Sequence, residues 1–147
     1  MSLATGPAGA VHRLPVRVYY EDTDLAGVVY HANYLRFCER GRSEWLRSMG
    51  VEQARLRAEQ GMAFAVASMD CRWRAPARFD DLLVVETEAL RVTGARALLR
   101  QAVLREGVAL FEAEVAVAAT GPSGRAARLP PALLAGLRAT GCPSAGA

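Results

Sequence analysis

Apolar and polar residues follow two different periods along this chain. Between Asn33 and Met49 the apolar positions recur every three or four residues, at Tyr34, Phe37, Cys38, Gly41, Trp45 and Met49. This spacing places them on one face of a helix and predicts that this face is buried. We expect Asn33 to cap the start of the helix and Gly50 to follow its end. A shorter helix is predicted over 52–60.

Most of the remaining chain alternates as half-buried strands do. The predicted strands are 13–21, 62–74, 82–92, 95–105 and 108–119, with a terminal helix over 132–138. The first strand would carry Val16, Val18 and Tyr20 on one face. Short breaks between the later strands favour antiparallel turns. The pattern therefore predicts an α+β fold, a five-stranded antiparallel sheet wrapped around a long central helix. Edge-to-edge pairing of two such sheets would protect an exposed edge strand in a dimer.

Size and composition narrow the class of protein. The 147 residues fit one domain over 12–139, with flexible tails at 1–11 and 140–147. All 18 basic residues are arginine and the net charge is +3, too weak to favour nucleic acid but compatible with a phosphorylated small molecule. Three cysteines without C-x-x-C spacing and two histidines predict no metal site. No run approaches the length of a membrane span, and no signal peptide is apparent, so a cytoplasmic protein is expected.

Candidate chemistry is concentrated in residues 19–34, YYEDTDLAGVVYHANY. Asp22 and Asp24 lie between the first strand and the long helix, and Gly27 suits a tight turn. A carboxylate beside a helix N-terminus places a base or nucleophile next to backbone N–H donors that can stabilise an oxyanion. Asp22 ranks below Asp24 as an active-site group, because an aspartate in a turn more often bonds its own backbone.

The segment RVYYEDTDLAGVVYHANYLRFCERGRSEWLRSMG resembles the acyl-CoA thioesterases of the 4-hydroxybenzoyl-CoA thioesterase superfamily, in particular their Tol-Pal-associated (YbgC-type) branch. The shared motif is Asp-x-Asp-x-x-Gly-Val-Val-Tyr-His-x-Asn-Tyr, and the runs CRWRAPARFDDLLVVET and ARLPPALLAGL extend the resemblance over most of 13–138. It implies the hotdog fold, assembly as a homodimer or homotetramer, and hydrolysis of a short-chain or aromatic acyl-CoA to free acid and coenzyme A. No separate cofactor is implied.

The resemblance also implies the site residues. Asp24 falls on the catalytic carboxylate, as nucleophile or general base, and His31 and Tyr20 on residues that assist it. The thioester carbonyl would accept hydrogen bonds from backbone N–H groups around Tyr30 and His31, with Gly27 and Val28 also lining the substrate. Candidate partners for the coenzyme A phosphates are Arg72, Arg74 and Arg96.

Two alternatives stay open at this point. The carrier of the acyl group can be acyl carrier protein instead of coenzyme A. The protein can also be a hotdog protein that binds acyl-CoA or acyl carrier protein without hydrolysis. Asp24 disfavours the second alternative, because a mere binder has no need of such a carboxylate.

Overall fold

The computed structural model describes residues 10–142. Its helices are α1 (Asn33–Ser48), α2 (Gln53–Gln60) and α3 (Pro131–Ala139). Its strands are β1 (His12–Arg17), β2 (Ala63–Trp73), β3 (Leu82–Val92), β4 (Arg96–Arg105), β5 (Val108–Thr120) and the two-residue β6 (Ala126–Ala127). Most of the two predicted tails, residues 1–9 and 143–147, lies outside the described residues.

All strand pairs are antiparallel, in the order β1-β3-β4-β5-β2. The prediction of five strands missed β6, which pairs with Ala119 and Thr120 of β5. Two residues are too few to produce a period in the sequence, so no apolar pattern marked this strand. Within residues 10–142, no helix is long and apolar enough to cross a lipid bilayer.

The central helix α1 lies against β1, β3 and β4. The predicted stripe is buried from Tyr34, at 2 % exposure, to Trp45, with Phe37 and Cys38 fully inaccessible. Its last member, Met49, follows the end of the helix and is only partly buried. Gly41 lies where the helix approaches the sheet most closely, since a Cβ there would stand 2.7 Å from Val85 Cγ1. Glycine costs helix stability, and this close approach explains why no larger residue occupies the position. The predicted α+β fold, a sheet around a central helix, is confirmed.

Polar groups buried under α1 are bonded to one another. The Gln101 side chain donates from Nε2 to the Cys38 carbonyl and to Thr87 Oγ1, both at 2.9 Å. Its Oε1 accepts a hydrogen bond from Arg42 Nη1 at 2.9 Å. Burial raises the pKa of the Cys38 thiol to about 12, so this thiol is protonated and unreactive at neutral pH.

The segment between β1 and α1 differs from its prediction in two places. The strand ends at Arg17 instead of continuing to residue 21, and a short 3-10 turn follows at Tyr20–Asp22. Tyr20 is therefore not on the strand face that buries Val16 and Val18, and it is 81 % exposed. Asn33 is the first helical residue, not the N-cap, and its side chain is bonded elsewhere.

Candidate active site

Asp24 begins a tight turn that the surrounding backbone holds in place. Its N–H donates to the Val28 carbonyl at 2.9 Å, and its carbonyl accepts the Gly27 N–H at 3.0 Å. Gly27 has φ +80, a conformation that favours glycine, as the sequence predicted. Carboxylate oxygen Oδ1 accepts the Ala26 N–H at 2.9 Å, while Oδ2 accepts no hydrogen bond from residues 10–142. Asp24 thus presents a solvent-exposed oxygen on a well-held turn.

Asp22, two residues earlier, is only 4 % exposed. Its Oδ2 accepts the Tyr19 N–H and its Oδ1 accepts Asn33 Nδ2, both at 2.8 Å. Its carbonyl accepts the Tyr30 N–H at 2.9 Å. Asp22 therefore joins the 3-10 turn to the start of α1.

Two backbone donors are available at the start of α1. Among residues 10–142, neither the His31 N–H nor the Ala32 N–H has an acceptor. The predicted donor at Tyr30 is not available, because its N–H is bonded to Asp22. Unbonded N–H groups at a helix start carry partial positive charge and suit a developing oxyanion.

The two peptide groups that carry these N–H donors also have carbonyls, and both carbonyls accept hydrogen bonds. The Tyr30 carbonyl accepts the Asn33 N–H at 2.8 Å. The His31 carbonyl accepts Nε1–H of Trp73, from the end of β2, at 2.9 Å. The peptide groups that carry the two donors are thus fixed from their carbonyl sides.

A surface cavity of about 220 Å³ connects these parts. It brings together Asp24, the ring of Tyr30 and the helix start, and its lining residues are Glu21, Thr23, Asp24, Tyr30, Ala32, Asn33 and Arg36. Arg36 was missed by the sequence analysis. Its position three residues after Asn33, in the first turn of α1, was the available signal.

The two residues expected to assist Asp24 do not line this cavity. Tyr20 stacks on Phe79, with ring centroids 4.7 Å apart and planes 10° apart. The exposed ring of His31 packs against Tyr30 at 4.6 Å and meets the edge of Trp73 at 6.2 Å. Both rings flank the segment that carries Asp24 without a hydrogen bond to its carboxylate.

The three arginines predicted for the phosphates do not converge on Asp24 within one chain. Trp73 donates to His31 on the helix side, so its strand neighbours Arg72 and Arg74 point to the opposite face of the sheet. There Arg74 forms an ion pair with Glu112. Phe111 of β5 pairs with both Trp73 of β2 and Val103 of β4. Arg96 is the first residue of β4 and lies seven residues before Val103. At about 3.3 Å per residue, Arg96 is roughly 23 Å away along the strand.

Asp81, which directly precedes β3, is another carboxylate that the protein holds in place. It accepts the Arg78 N–H at 2.9 Å and Arg105 Nη1 at 2.8 Å. Burial raises the pKa of Asp81, but these hydrogen bonds and charges outweigh it and hold the pKa below its usual value. Among residues 10–142, no cluster of three or more His, Cys, Asp or Glu side chains is placed to hold a metal ion.

Residues 26–112 match the family model of the thioesterase superfamily. The chain is 50 % identical over 104 residues to the acyl-CoA thioesterase YbgC of Haemophilus influenzae, covering 71 % of this chain and 76 % of that protein. It is 47 % identical over 111 residues to the acyl-CoA thioester hydrolase YbgC of Escherichia coli, covering 75 % and 82 %. The crystal structure of a probable thioesterase from Bartonella henselae superposes with a TM-score of 0.80 at 40 % identity, over 82 % of this chain and all of that one.

The chain therefore belongs to the thioesterase superfamily. This membership confirms the predicted family, the hotdog fold and the class of enzyme, a thioester hydrolase.

Proposed function

We propose that this protein hydrolyses acyl-CoA thioesters of short-chain or aromatic acids, releasing the free acid and coenzyme A. The observation that carries the proposal is that Asp24 and Ala32, at the start of α1, line one cavity, and that the Ala32 N–H has no acceptor among residues 10–142. The two YbgC relatives named above, whose names specify acyl-CoA, support coenzyme A as the carrier.

The chemistry follows from these two features. The thioester oxygen accepts hydrogen bonds from the His31 and Ala32 N–H groups, which draws electrons from the carbonyl carbon. Asp24, as general base, takes a proton from water as the water oxygen attacks that carbon. As nucleophile, its carboxylate attacks instead, and water then hydrolyses the mixed anhydride. In both routes the carbon–sulfur bond breaks and the sulfur of coenzyme A leaves, taking up a proton.

The other predicted residues have supporting roles in this proposal. His31 lies at the helix start with an exposed ring, where it can protonate the leaving sulfur. The resemblance implies that Tyr20 also assists Asp24, although the Tyr20 ring stacks on Phe79 outside the cavity. The Tyr30 ring lines the cavity, and the Gly27 and Val28 backbone shapes the turn beside the substrate. Arg36 adds a cation close to Asp24.

A second copy of the chain is part of the proposal. The edge strand β1 is short and carries Pro15, which discourages further pairing. The other edge, β2, has eleven residues without proline and exposes apolar side chains such as Val66, at 46 %. Pairing of two chains along β2 would cover this edge and bring a second surface towards Asp24. We expect size-exclusion chromatography with light scattering to give two or four times the 15.8 kDa chain mass.

The central test is release of free coenzyme A from acyl-CoAs of graded length, including benzoyl-CoA. Asp24→Asn removes the charge but keeps the shape, so we expect kcat to fall by about three orders of magnitude or more. The circular dichroism spectrum should be unchanged, because Asp24 is exposed. Asp24→Asn hydrolysing as fast as the parent would exclude Asp24 as the catalytic group.

Asp70→Asn is the matched control, since Asp70 lies with Arg72 on the opposite face of the sheet. It should retain the parent rate. Binding of acyl-CoA without release of coenzyme A by the parent would favour the non-catalytic alternative. Parallel assays with acyl groups on acyl carrier protein decide between the two carriers.

We place the protein in the cytoplasm, where coenzyme A and reducing conditions are found. The odd number of cysteines, without C-x-x-C spacing, is the sequence observation that supports this placement.

A further inference from the structure

We propose that Trp73 is a positioning residue for the donors that bind the thioester carbonyl. The inference rests on the proposed function and assigns the indole N–H a part in it. Trp73 holds the peptide between His31 and Ala32, and through that peptide it aims and strengthens the Ala32 N–H.

The geometry of a trans peptide links the two ends of this contact. The His31 carbonyl and the Ala32 N–H belong to the same planar group and point in opposite directions. Trp73 Nε1–H donates to that carbonyl at 2.9 Å, so the opposite side of the peptide presents the Ala32 N–H. Ala32 is one of the residues that line the cavity of Asp24. A hydrogen bond to the carbonyl also polarises the peptide and makes its N–H a stronger donor.

The indole is itself held against the core. Its ring meets the fully buried Phe111 edge-on at 5.3 Å and the His31 ring at 6.2 Å. Trp73 is nevertheless 49 % exposed at the end of the edge strand β2. The hydrogen bond to the His31 carbonyl and the contact with Phe111 together fix the direction of the indole.

The other available donor is controlled in a different way. The His31 N–H belongs to the peptide whose carbonyl, that of Tyr30, is bonded to the Asn33 N–H within the helix start. One donor is thus set by local backbone structure and the other by a side chain from a distant strand. Changing Trp73 should therefore weaken one donor and leave the other in place.

Trp73→Phe removes the indole N–H and keeps an aromatic ring against Phe111. We expect kcat for acyl-CoA to fall about tenfold, the effect of weakening one donor without removing it, with KM within about twofold. The thermal midpoint should change by no more than about 3 °C, because the side chain is half-exposed. Trp45→Phe, in the only other tryptophan and well along α1, is the matched control and should keep the parent kcat once corrected for folded fraction.

Infrared spectroscopy separates positioning from a purely structural role. The probe is a non-hydrolysable ketone analogue of acetyl-CoA with a ¹³C carbonyl. Bound to the parent, its carbonyl stretch should move to lower frequency than in water, and Trp73→Phe should reverse part of that shift. Equal kcat and equal carbonyl frequency in parent and Trp73→Phe would overturn the inference, as would an analogue that does not bind.

The two proposals fail in different ways. A parent that hydrolyses no thioester, yet shifts the analogue's carbonyl in a Trp73-dependent manner, would disprove the proposed reaction and keep the positioning role. If the parent hydrolyses acyl-CoA but Trp73→Phe changes neither kcat nor the carbonyl frequency, the proposed reaction stands and the positioning role is disproved.

Discussion

Asp22 and Asp24 lie two residues apart between β1 and α1, one buried and the other exposed to solvent. Asp22 is buried, and both of its carboxylate oxygens accept hydrogen bonds from the protein. Asp24 is exposed, and one of its oxygens has no partner within residues 10–142. The first carboxylate is committed to joining two segments of chain, whereas the second can accept a proton or attack a carbon.

The difference shows how a carboxylate can be held in position while one of its oxygens stays available. Asp24 is positioned through its backbone, by the turn that Gly27 closes, so most of its side chain stays available. Asp22 supplies the rigidity instead, because it connects the 3-10 turn to Asn33 and Tyr30 at the start of α1. Substitutions at the two positions should therefore affect different properties, Asp24 activity and Asp22 stability.

The largest expected effect on stability comes from Asp22→Ala. It leaves the Tyr19 N–H and the Asn33 amide without their acceptor, and hydrogen bonds to a charged group contribute about 1.5–3 kcal/mol each. We expect the free energy of unfolding to fall by about 3 kcal/mol and the thermal midpoint by about 10 °C.

Asp24→Ala provides the matched comparison for that measurement. Its midpoint should stay within about 2 °C of the parent, because an exposed side chain outside the core contributes little to stability. Equal loss of stability in both variants, followed by urea or thermal unfolding, would contradict the division of roles.

Asn33→Asp sharpens the comparison by placing a second carboxylate against Asp22. The two carboxylates would lie at hydrogen-bond distance in a buried position, so their negative charges repel each other and protonation relieves the repulsion. The variant should then be nearly as stable as the parent below about pH 4 and lose about 2 kcal/mol as the pH rises towards 7. Unfolding midpoints between pH 3.5 and 7.5 measure this slope, and parallel curves for variant and parent would show that the Asp22–Asn33 bond carries no such coupling.

Asp81→Asn should give a smaller effect than Asp22→Ala or Asn33→Asp. Asp81 is held like Asp22, but its side chain is 24 % exposed, so solvent screens the ion pair with Arg105. We expect a loss of about 1 kcal/mol at pH 7. Because the pKa of Asp81 is lowered in the folded state, its contribution is present above the unfolded pKa and is lost as the pH falls through the folded one. The difference between parent and variant should therefore shrink below about pH 4, and a constant difference down to pH 2 would refute the ionic origin.

Regular periods explain which elements were predictable. The apolar stripe of α1 and the alternation in β2 to β5 recur over ten residues or more, and each of these elements was found close to its expected bounds. Errors fell where the signal is local and short. In the sequence, Tyr20 continues the apolar alternation of β1. In the structure the strand ends at Arg17, because the Tyr19 N–H donates to the Asp22 carboxylate and closes a turn. Asn33 has a side chain that is typical of an N-cap, but this side chain donates a hydrogen bond to the buried Asp22 and does not cap the helix.

The sequence by itself determined the class of fold, through the periods of its apolar residues, and the motif that carries Asp24, through spacing along the chain. Neither of these needs knowledge of distant contacts. Only the tertiary structure decided which donors are available, that Arg36 and not Arg96 stands near Asp24, and that Trp73 reaches His31. Each of these depends on segments up to about forty residues apart meeting at one end of the sheet, where strand register and side-chain direction place the atoms.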